Sequence, residues 1–398
     1  MGLPRYARLG SAESDESTTT LVDSPASRGE AWLRLYGGWV LAGVVCLLWA
    51  TTPRGPAAKA EECFDPFTTP GYIWRAENGS IRHIPYPPSA SLADLTTFRP
   101  IEESADPPTD ALRLAAPAYG DLLEREDRAD LPELRWMRDK TIVFIGDSHD
   151  RQNLEIFCDR LHSTGAVLSV PHYHIKAHCR LPDLNLTLAQ WFHFGLAPES
   201  DSLPPNAWNI PSIPTSHENE NPAPYSIEGK MKEYWLPDVE EIGKPDLIVL
   251  NSFFWDLRYF TLRARHFIPP PSPLHASERP LTYSELAWHR SRVRDFVELV
   301  REKFPSVPVM WKTGQERESD RGYGNVAVYQ LNQSLRAVLK RLNVPVFDWG
   351  ALVTGEWQYN DDQHLKPGAP ARLWADIAFW YLRRAVQGWA KCIDPPLS

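Results

Sequence analysis

The chain has 398 residues, 43% of them hydrophobic, which is enough apolar material for one large domain or two or three small ones. Its formal net charge is −9 and no long Lys/Arg cluster occurs, so a general nucleic-acid binder, which needs a basic face toward phosphate, is excluded. The 37 prolines predict long extended surface loops around a core.

Residues 1–34 are rich in Ser, Thr and charge and lack apolar periodicity, so a disordered cytoplasmic tail is expected there. The run Tyr36–Thr52 carries no charge and is bounded by Arg34 and Arg54. It predicts a transmembrane signal anchor over 35–53, at the short end of what a bilayer needs. The alternative is a cleaved signal peptide with a processing site at Ala58–Ala60, giving a secreted protein. The anchor reading predicts a single-pass type II membrane protein with a luminal catalytic domain in the Golgi or endoplasmic reticulum. Acceptor sequons for glycosylation begin at Asn78, Asn185 and Asn332. Besides Cys46 in the anchor, the cysteines are Cys63, Cys158, Cys179 and Cys392, an even number that allows three connectivities in an oxidising compartment. The expected pairs are Cys158 with Cys179 and Cys63 with Cys392, the second joining the two ends of the luminal part.

Residues 54–128 are Pro-rich and irregular, with short aromatic pieces such as Gly71–Trp74, and predict a stem and a wrapping extension without a core of its own. From 129 to 398 buried-strand candidates alternate with helices. The strands are Thr141–Ile145, Ala166–Val170, Leu188–Phe194, Asp246–Asn251, Val307–Trp311 and Val344–Asp348. The helices are Leu154–Leu161, Tyr283–Phe304, Val326–Leu342 and Pro370–Val386, the last opening on proline in its favoured first turn. This alternation predicts an α/β domain whose mainly parallel sheet is covered by helices on both faces. Pro/Ser/Asn-rich stretches at 197–230 and 267–280 are expected to be loops shaping a cleft.

Ser148 lies in Gly146-Asp147-Ser148-His149, straight after a buried strand and before a helix, where a parallel sheet exposes side chains at its carboxyl edge. Asp361 and His364 stand three residues apart just before the last helix, the types and spacing for a histidine base oriented by a carboxylate. Both segments fall at the same sheet edge if the strands are parallel, so Ser148 and His364 can meet. Asn251, ending the strand before Ser252-Phe253-Phe254-Trp255-Asp256, is a candidate oxyanion donor together with the Ser148 backbone N–H. The segment Pro171–Cys179 contains His172, His174 and His178, but a disulfide for Cys179 and solvent-facing histidines account for it more simply than a metal. Trp311 is expected in the core, or Lys312 and Thr313 in the cleft.

The set Gly146–Asn153, Leu250–Asp256 and Asn360–His364 resembles the SGNH (GDSL-like) hydrolase superfamily. Its Arg151, Trp255 and Asp361-x-x-His364 are most similar to the PC-esterase branch of trichome-birefringence-like and fungal O-acyltransferases and esterases. The resemblance spans about 63–392. It implies a Ser148–His364–Asp361 catalytic triad on a three-layer α/β/α flavodoxin-like sandwich, with Asn251, Arg151 and Trp255 at the oxyanion or substrate. The sequence departs from the superfamily at His149, where an aliphatic residue is usual, and in lacking a clearly placed glycine after the second strand; Gly165 precedes that strand.

The resemblance implies a serine-dependent O-acyl esterase or O-acyltransferase acting on a glycan in the secretory pathway through an acyl-serine, the acyl group often being acetyl. No bound cofactor is expected, only an acyl donor if the reaction is transfer. The expected partners are a carbohydrate or other acylated substrate and a membrane. A catalytically silent glycan-binding or scaffold protein on the same fold is the competing expectation.

Overall fold

Every residue from Thr141 to Gly146 is buried, and successive side chains alternate between two apolar layers: Ile142 and Phe144 join one, Val143 and Ile145 the other. Leu247 and Val249 against Ile248 and Leu250 repeat the division. Strands of this kind are apolar on both faces because helices cover both.

The computed structural model describes residues 64–75, 81–86, 107, 109–172, 175–198, 224–318, 324–355, 359–361 and 363–388. Its strands are β1 (Gly71–Arg75), β2 (Ile81–Pro85), β3 (Thr141–Gly146), β4 (Val167–His172), β5 (Lys176–Leu181), β6 (Leu186–Phe192), β7 (Leu247–Leu250), β8 (Val309–Lys312) and β9 (Val346–Phe347). The five helices that matter to the site are α1 (Ser148–Arg160), α2 (Phe254–Phe267), α3 (Tyr283–Lys303), α4 (Asn325–Arg341) and α5 (Ala369–Gln387).

The main sheet runs β4-β5-β6-β3-β7-β8-β9. From β6 to β9 all neighbours are parallel, and in chain order these five strands stand second, first, third, fourth and fifth, the flavodoxin-like arrangement. The α/β, mainly parallel expectation therefore holds, with one addition. Two antiparallel pairings, β4 with β5 and β5 with β6, extend the sheet at one end. Side chains of α1 and α5 fill one apolar layer, and those of α3, α4 and the segment Ile227–Ile242 fill the other.

Local chemistry explains the helix limits. Thr282 accepts from the Glu285 N–H while the Glu285 carboxylate accepts from the Thr282 N–H, a reciprocal cap that starts α3. Pro370 occupies the first turn of α5, and Gly388, at φ 112°, ends it in the left-handed region.

The segment before the sheet adds the β1–β2 hairpin and puts Phe67, Ile81, Tyr119 and Leu123 into the α1–α5 layer. One of its anchors is the buried Asp376 of α5, which accepts from the Gly120 N–H at 2.6 Å. Burial pushes the Asp376 carboxyl up to about 8, helped by Asp121 and opposed by the Gly120 bond, Arg82 and Arg372. An acid raised from 3.8 to about 8 on folding adds stability that is complete below pH 3.8 and is lost as pH rises through about 8. Asp376→Asn keeps an acceptor for Gly120 but cannot ionise. Between pH 5 and pH 8 the urea midpoint of the parent should therefore fall more steeply than that of the variant.

Cys158 of α1 and Cys179 of β5 form a disulfide, as expected, spanning 21 residues. A loop of that length stabilises by about 3 kcal/mol, so the double replacement C158A/C179A should lower the unfolding free energy in urea by about 2–4 kcal/mol. The other proposed pair, Cys63–Cys392, lies outside the described residues.

Other expectations need correction. Among the described residues no helix is long and apolar enough to cross a membrane, which overturns the single-pass type II placement in the Golgi or endoplasmic reticulum. The uncharged run at 36–52, on which that placement rested, and the Ala58–Ala60 processing site lie outside the described residues. Asn332 sits in α4 with both amide atoms engaged, its Oδ1 accepting from Gly314 N at 2.9 Å and its Nδ2 donating to Gly314 O at 2.7 Å. Asn185 is exposed on the β5–β6 turn, where its Nδ2 donates to Asp139 Oδ1 at 2.8 Å; Asn78 lies outside the described residues. His178 does not face solvent: it is fully buried, its Nε2 2.9 Å from Asp238 Oδ2. Lys176 and Arg180 pair with the neighbouring Asp238 and Glu241, so cations already neutralise this acidic cluster.

Candidate active site

The turn after β3 sets the nucleophile's position. Asp147 leaves the strand in an extended conformation, and its carboxylate accepts from the His149 N–H at 3.0 Å, so α1 begins at Ser148. Ser148 is half-buried at the helix tip, while Asp147 and His149 beside it are buried. As the first helical residue, Ser148 has a backbone N–H with no partner inside the helix.

The segment between β9 and α5 returns to the same edge. His364 Nε2 lies 2.8 Å from Ser148 Oγ, and His364 Nδ1 lies 2.8 Å from Asp361 Oδ2 and 3.0 Å from Oδ1. The Asp361 carboxylate also accepts from the backbone N–H groups of Gln363 and His364, at 2.8 and 2.9 Å. Partial burial opposes its ionisation, but those two bonds and the His364 ring outweigh it and hold the carboxyl below its usual range. With Asp361 ionised, Nδ1 donates to it. Nε2 is then left as the acceptor facing the Ser148 hydroxyl. Burial, and after it the neighbouring His149, lowers the His364 pKa even though Asp361 and Asp147 pull the other way.

A buried polar layer lies beneath. Lys312, at the end of β8, places Nζ 2.9 Å from Asp150 Oδ1, both side chains being buried. Burial, with Asp147 nearby, raises the Asp150 pKa against the pull of Lys312. Asp150 Oδ2 accepts a short hydrogen bond from Asn251 Nδ2. A Cβ on Gly146 would overlap Asp150 Oδ2, so only glycine leaves room for this carboxylate under the strand end.

The structure thus brings Ser148, His364 and Asp361 together. Asn251 is fully buried and its Nδ2 gives one of its two N–H groups to Asp150, a carboxyl in the first turn of α1. Arg151 is buried with its guanidinium 5.3 Å from the centre of the Phe192 ring and its Nε 3.5 Å from Glu155 Oε1. Trp255 is half-buried, edge-on to Phe194 at 5.0 Å. Trp311 is in the core; Thr313 is buried, with its hydroxyl donating to Asp348 and accepting from the Gly350 N–H.

No family model matches the chain, and no curated protein matches it. Among solved structures it is similar to a lipolytic G-D-S-L family protein from Veillonella parvula, at 15% identity over 62% of this chain and 99% of that one, with a TM-score of 0.30. A GDSL-like lipase from Bacteroides thetaiotaomicron matches at 12% identity over 67% and 98%, TM-score 0.32. A carbohydrate esterase family 2 enzyme with a carbohydrate-binding domain, from Corynascus thermopiles (Myceliophthora fergusii), matches at 14% identity over 63% and 67%, TM-score 0.31.

Several residues of the site escaped sequence reasoning. Gln315 Nε2 donates to the Gln363 carbonyl at 2.8 Å, and Trp349 Nε1 donates to Gln315 Oε1 at 2.8 Å, which ties the His364 segment to the end of β8. Asp150 and Lys312 form their pair from segments far apart in the sequence. A usable signal was present: polar residues crowd the strand ends in Gly146–Asp150 and Lys312–Gln315, where burial demands partners.

Proposed function

We propose that this chain is a serine-dependent O-acyl esterase, with Ser148 as nucleophile, His364 as general base and acid, and Asp361 as the carboxylate that orients His364. The observation that carries the reading is the continuous hydrogen-bonded line from Ser148 Oγ through both ring nitrogens of His364 to Asp361. Such a line lets the hydroxyl lose its proton to Nε2 as the oxygen attacks an ester carbonyl. Collapse of the tetrahedral intermediate expels the alcohol, which takes that proton from His364, and leaves an acyl-serine. A second attack, by water or a hydroxyl acceptor activated at the same Nε2, releases the acyl group and restores Ser148.

The Ser148 backbone N–H at the start of α1 is the donor nearest the developing oxyanion, supported by the partial positive charge of a helix N-terminus. The lowered pKa keeps His364 an unprotonated base at neutral pH and extends activity below the ordinary histidine range. The acid limb of kcat/KM should accordingly fall below about 6.5.

Acetyl esters of glycans are the substrates to test first, on the strength of the motif resemblance. Turnover of p-nitrophenyl acetate, with a burst of one p-nitrophenol per chain if deacylation is slow, is the expected outcome. A folded preparation that releases neither p-nitrophenol nor acetate from acetylated xylan, and transfers no acetyl group to a xylan acceptor, contradicts the reading. Acetate release against acetyl transfer then distinguishes hydrolase from transferase.

A further inference from the structure

His149 occupies an unusual place for a buried histidine. Its side chain is 3% exposed, and its ring lies between the Phe253 and Phe254 rings, 5.0 and 4.9 Å away, and the His364 ring, 4.7 Å away at an interplanar angle of 31°. Its Nδ1 lies 2.9 Å from Asp147 Oδ1 and its Nε2 lies 3.2 Å from the Gln363 carbonyl oxygen. A carbonyl oxygen can only accept, and so can an ionised carboxylate. Burial opposes the ionisation of Asp147, but its Oδ1 also accepts from the His149 backbone N–H at 3.0 Å, and Lys312 helps hold its carboxyl below the usual range. Both ring nitrogens of His149 must therefore donate.

We propose that His149 is a standing imidazolium that acts as a positioning residue for His364: it ties Asp147 to the Gln363 carbonyl, so fixing the base's segment, and faces the base with a positive charge. The proposal rests on the reading of Ser148, His364 and Asp361 as an acyl-transfer site. The tilted contact of the two imidazoles restricts the plane of the His364 ring, and the Gln363 carbonyl, which also takes a bond from Gln315, fixes the peptide just before it. The charge opposes protonation of His364 in the resting state. The groups around His149 and His364 are Asp147, Asp150 and Ser148 on the β3–α1 turn, Lys312 on β8 and Asp361 on the His364 segment. The guanidinium of Arg317, beyond β8, lies over the Phe254 ring at 5.8 Å. Phe253 and Phe254 themselves bring no charge.

Removing the cation takes away an opponent of Asp361 and Asp147, which pull the His364 pKa upward. A unit charge at the separation of the two rings, even screened as in water, moves a titration by roughly 0.6 of a pH unit, and by more in a drier interior. His149→Gln should therefore shift the acid limb of kcat/KM for p-nitrophenyl acetate upward by at least about that much. A role confined to packing would lower kcat uniformly across pH and leave the limb in place. An unmoved limb, or one displaced downward, overturns the charge part of the proposal.

The second measurement needs neither activity nor a folded variant. In the parent protein labelled with ¹⁵N-histidine, both ring nitrogens of His149 should carry protons, assigned by through-bond correlation. One unprotonated ring nitrogen at pH 7 overturns the proposal outright, even if the enzyme is active. If esterase activity is absent and both nitrogens are protonated, the imidazolium stands and the functional reading falls.

Discussion

Ser148→Ala should reduce kcat/KM for p-nitrophenyl acetate by about 10⁴-fold or more, and His364→Ala should reduce it to a similar extent. The two losses should not add, because the hydroxyl and the imidazole act on one proton: the double variant should be little worse than either single one. Asp361→Asn should cost less than the removal of Ser148, since the amide still holds the ring in place through its own contacts. Its penalty arises from losing the negative charge that stabilises the imidazolium and from the altered tautomer. Steady-state kinetics with circular dichroism as a control for folding measures all of these. Retention of more than about a tenth of the parent activity in Ser148→Ala would assign the chemistry to another group.

Lys312→Met should destabilise the protein by about 3–5 kcal/mol, the cost of leaving one member of a buried ion pair without its partner. Methionine fills the space of the lysine stem, so the loss is electrostatic rather than a cavity effect. Asp150 would keep its hydrogen bond from Asn251 but lose the cation 2.9 Å away. Replacing both members, Lys312→Met with Asp150→Asn, should recover much of the loss, because no buried charge then remains unpaired. Urea unfolding of the two single variants and the double variant gives the coupling directly. A single replacement costing less than about 1 kcal/mol would mean that Asp150 is already neutral in the folded protein.

The central sheet was legible because its strands are buried on both faces. Runs such as Ile142–Ile145 admit no polar residue until the chain reaches the sheet edge, and the arrival of Gly-Asp-Ser marks that edge. Helices α3 and α5 were equally open to reading through Thr282 with Glu285 and through Pro370. Strand β5 was hidden because Lys176, His178 and Arg180 alternate with Ala177, Cys179 and Leu181. The polar set looks solvent-facing, yet Asp238 and Glu241 from a distant segment meet it across the sheet. Helix α2 was hidden for a different reason: Phe253 precedes it without any capping side chain, and its aromatic first turn reads as the end of a strand.

The pairing of Ser148 with Asp361-x-x-His364 was legible from strand order alone, since parallel strands bring their carboxyl ends to one rim. Asn251 was not, because position at a strand end does not determine which way an amide turns. Asp150 sits in the first turn of α1, beside Gly146, and its carboxyl offers the acceptor that the Asn251 amide meets. The same crowding conceals His149, whose two acceptors come from its own turn and from residue 363.

The most direct test of the Ser148–His364–Asp361 account is covalent capture by a fluorophosphonate, with the modified peptide mapped by mass spectrometry. The account predicts one adduct, on Ser148, formed by the parent chain, absent from Ser148→Ala and strongly slowed in His364→Ala. An adduct on a different residue, or labelling that persists undiminished in Ser148→Ala, would contradict it.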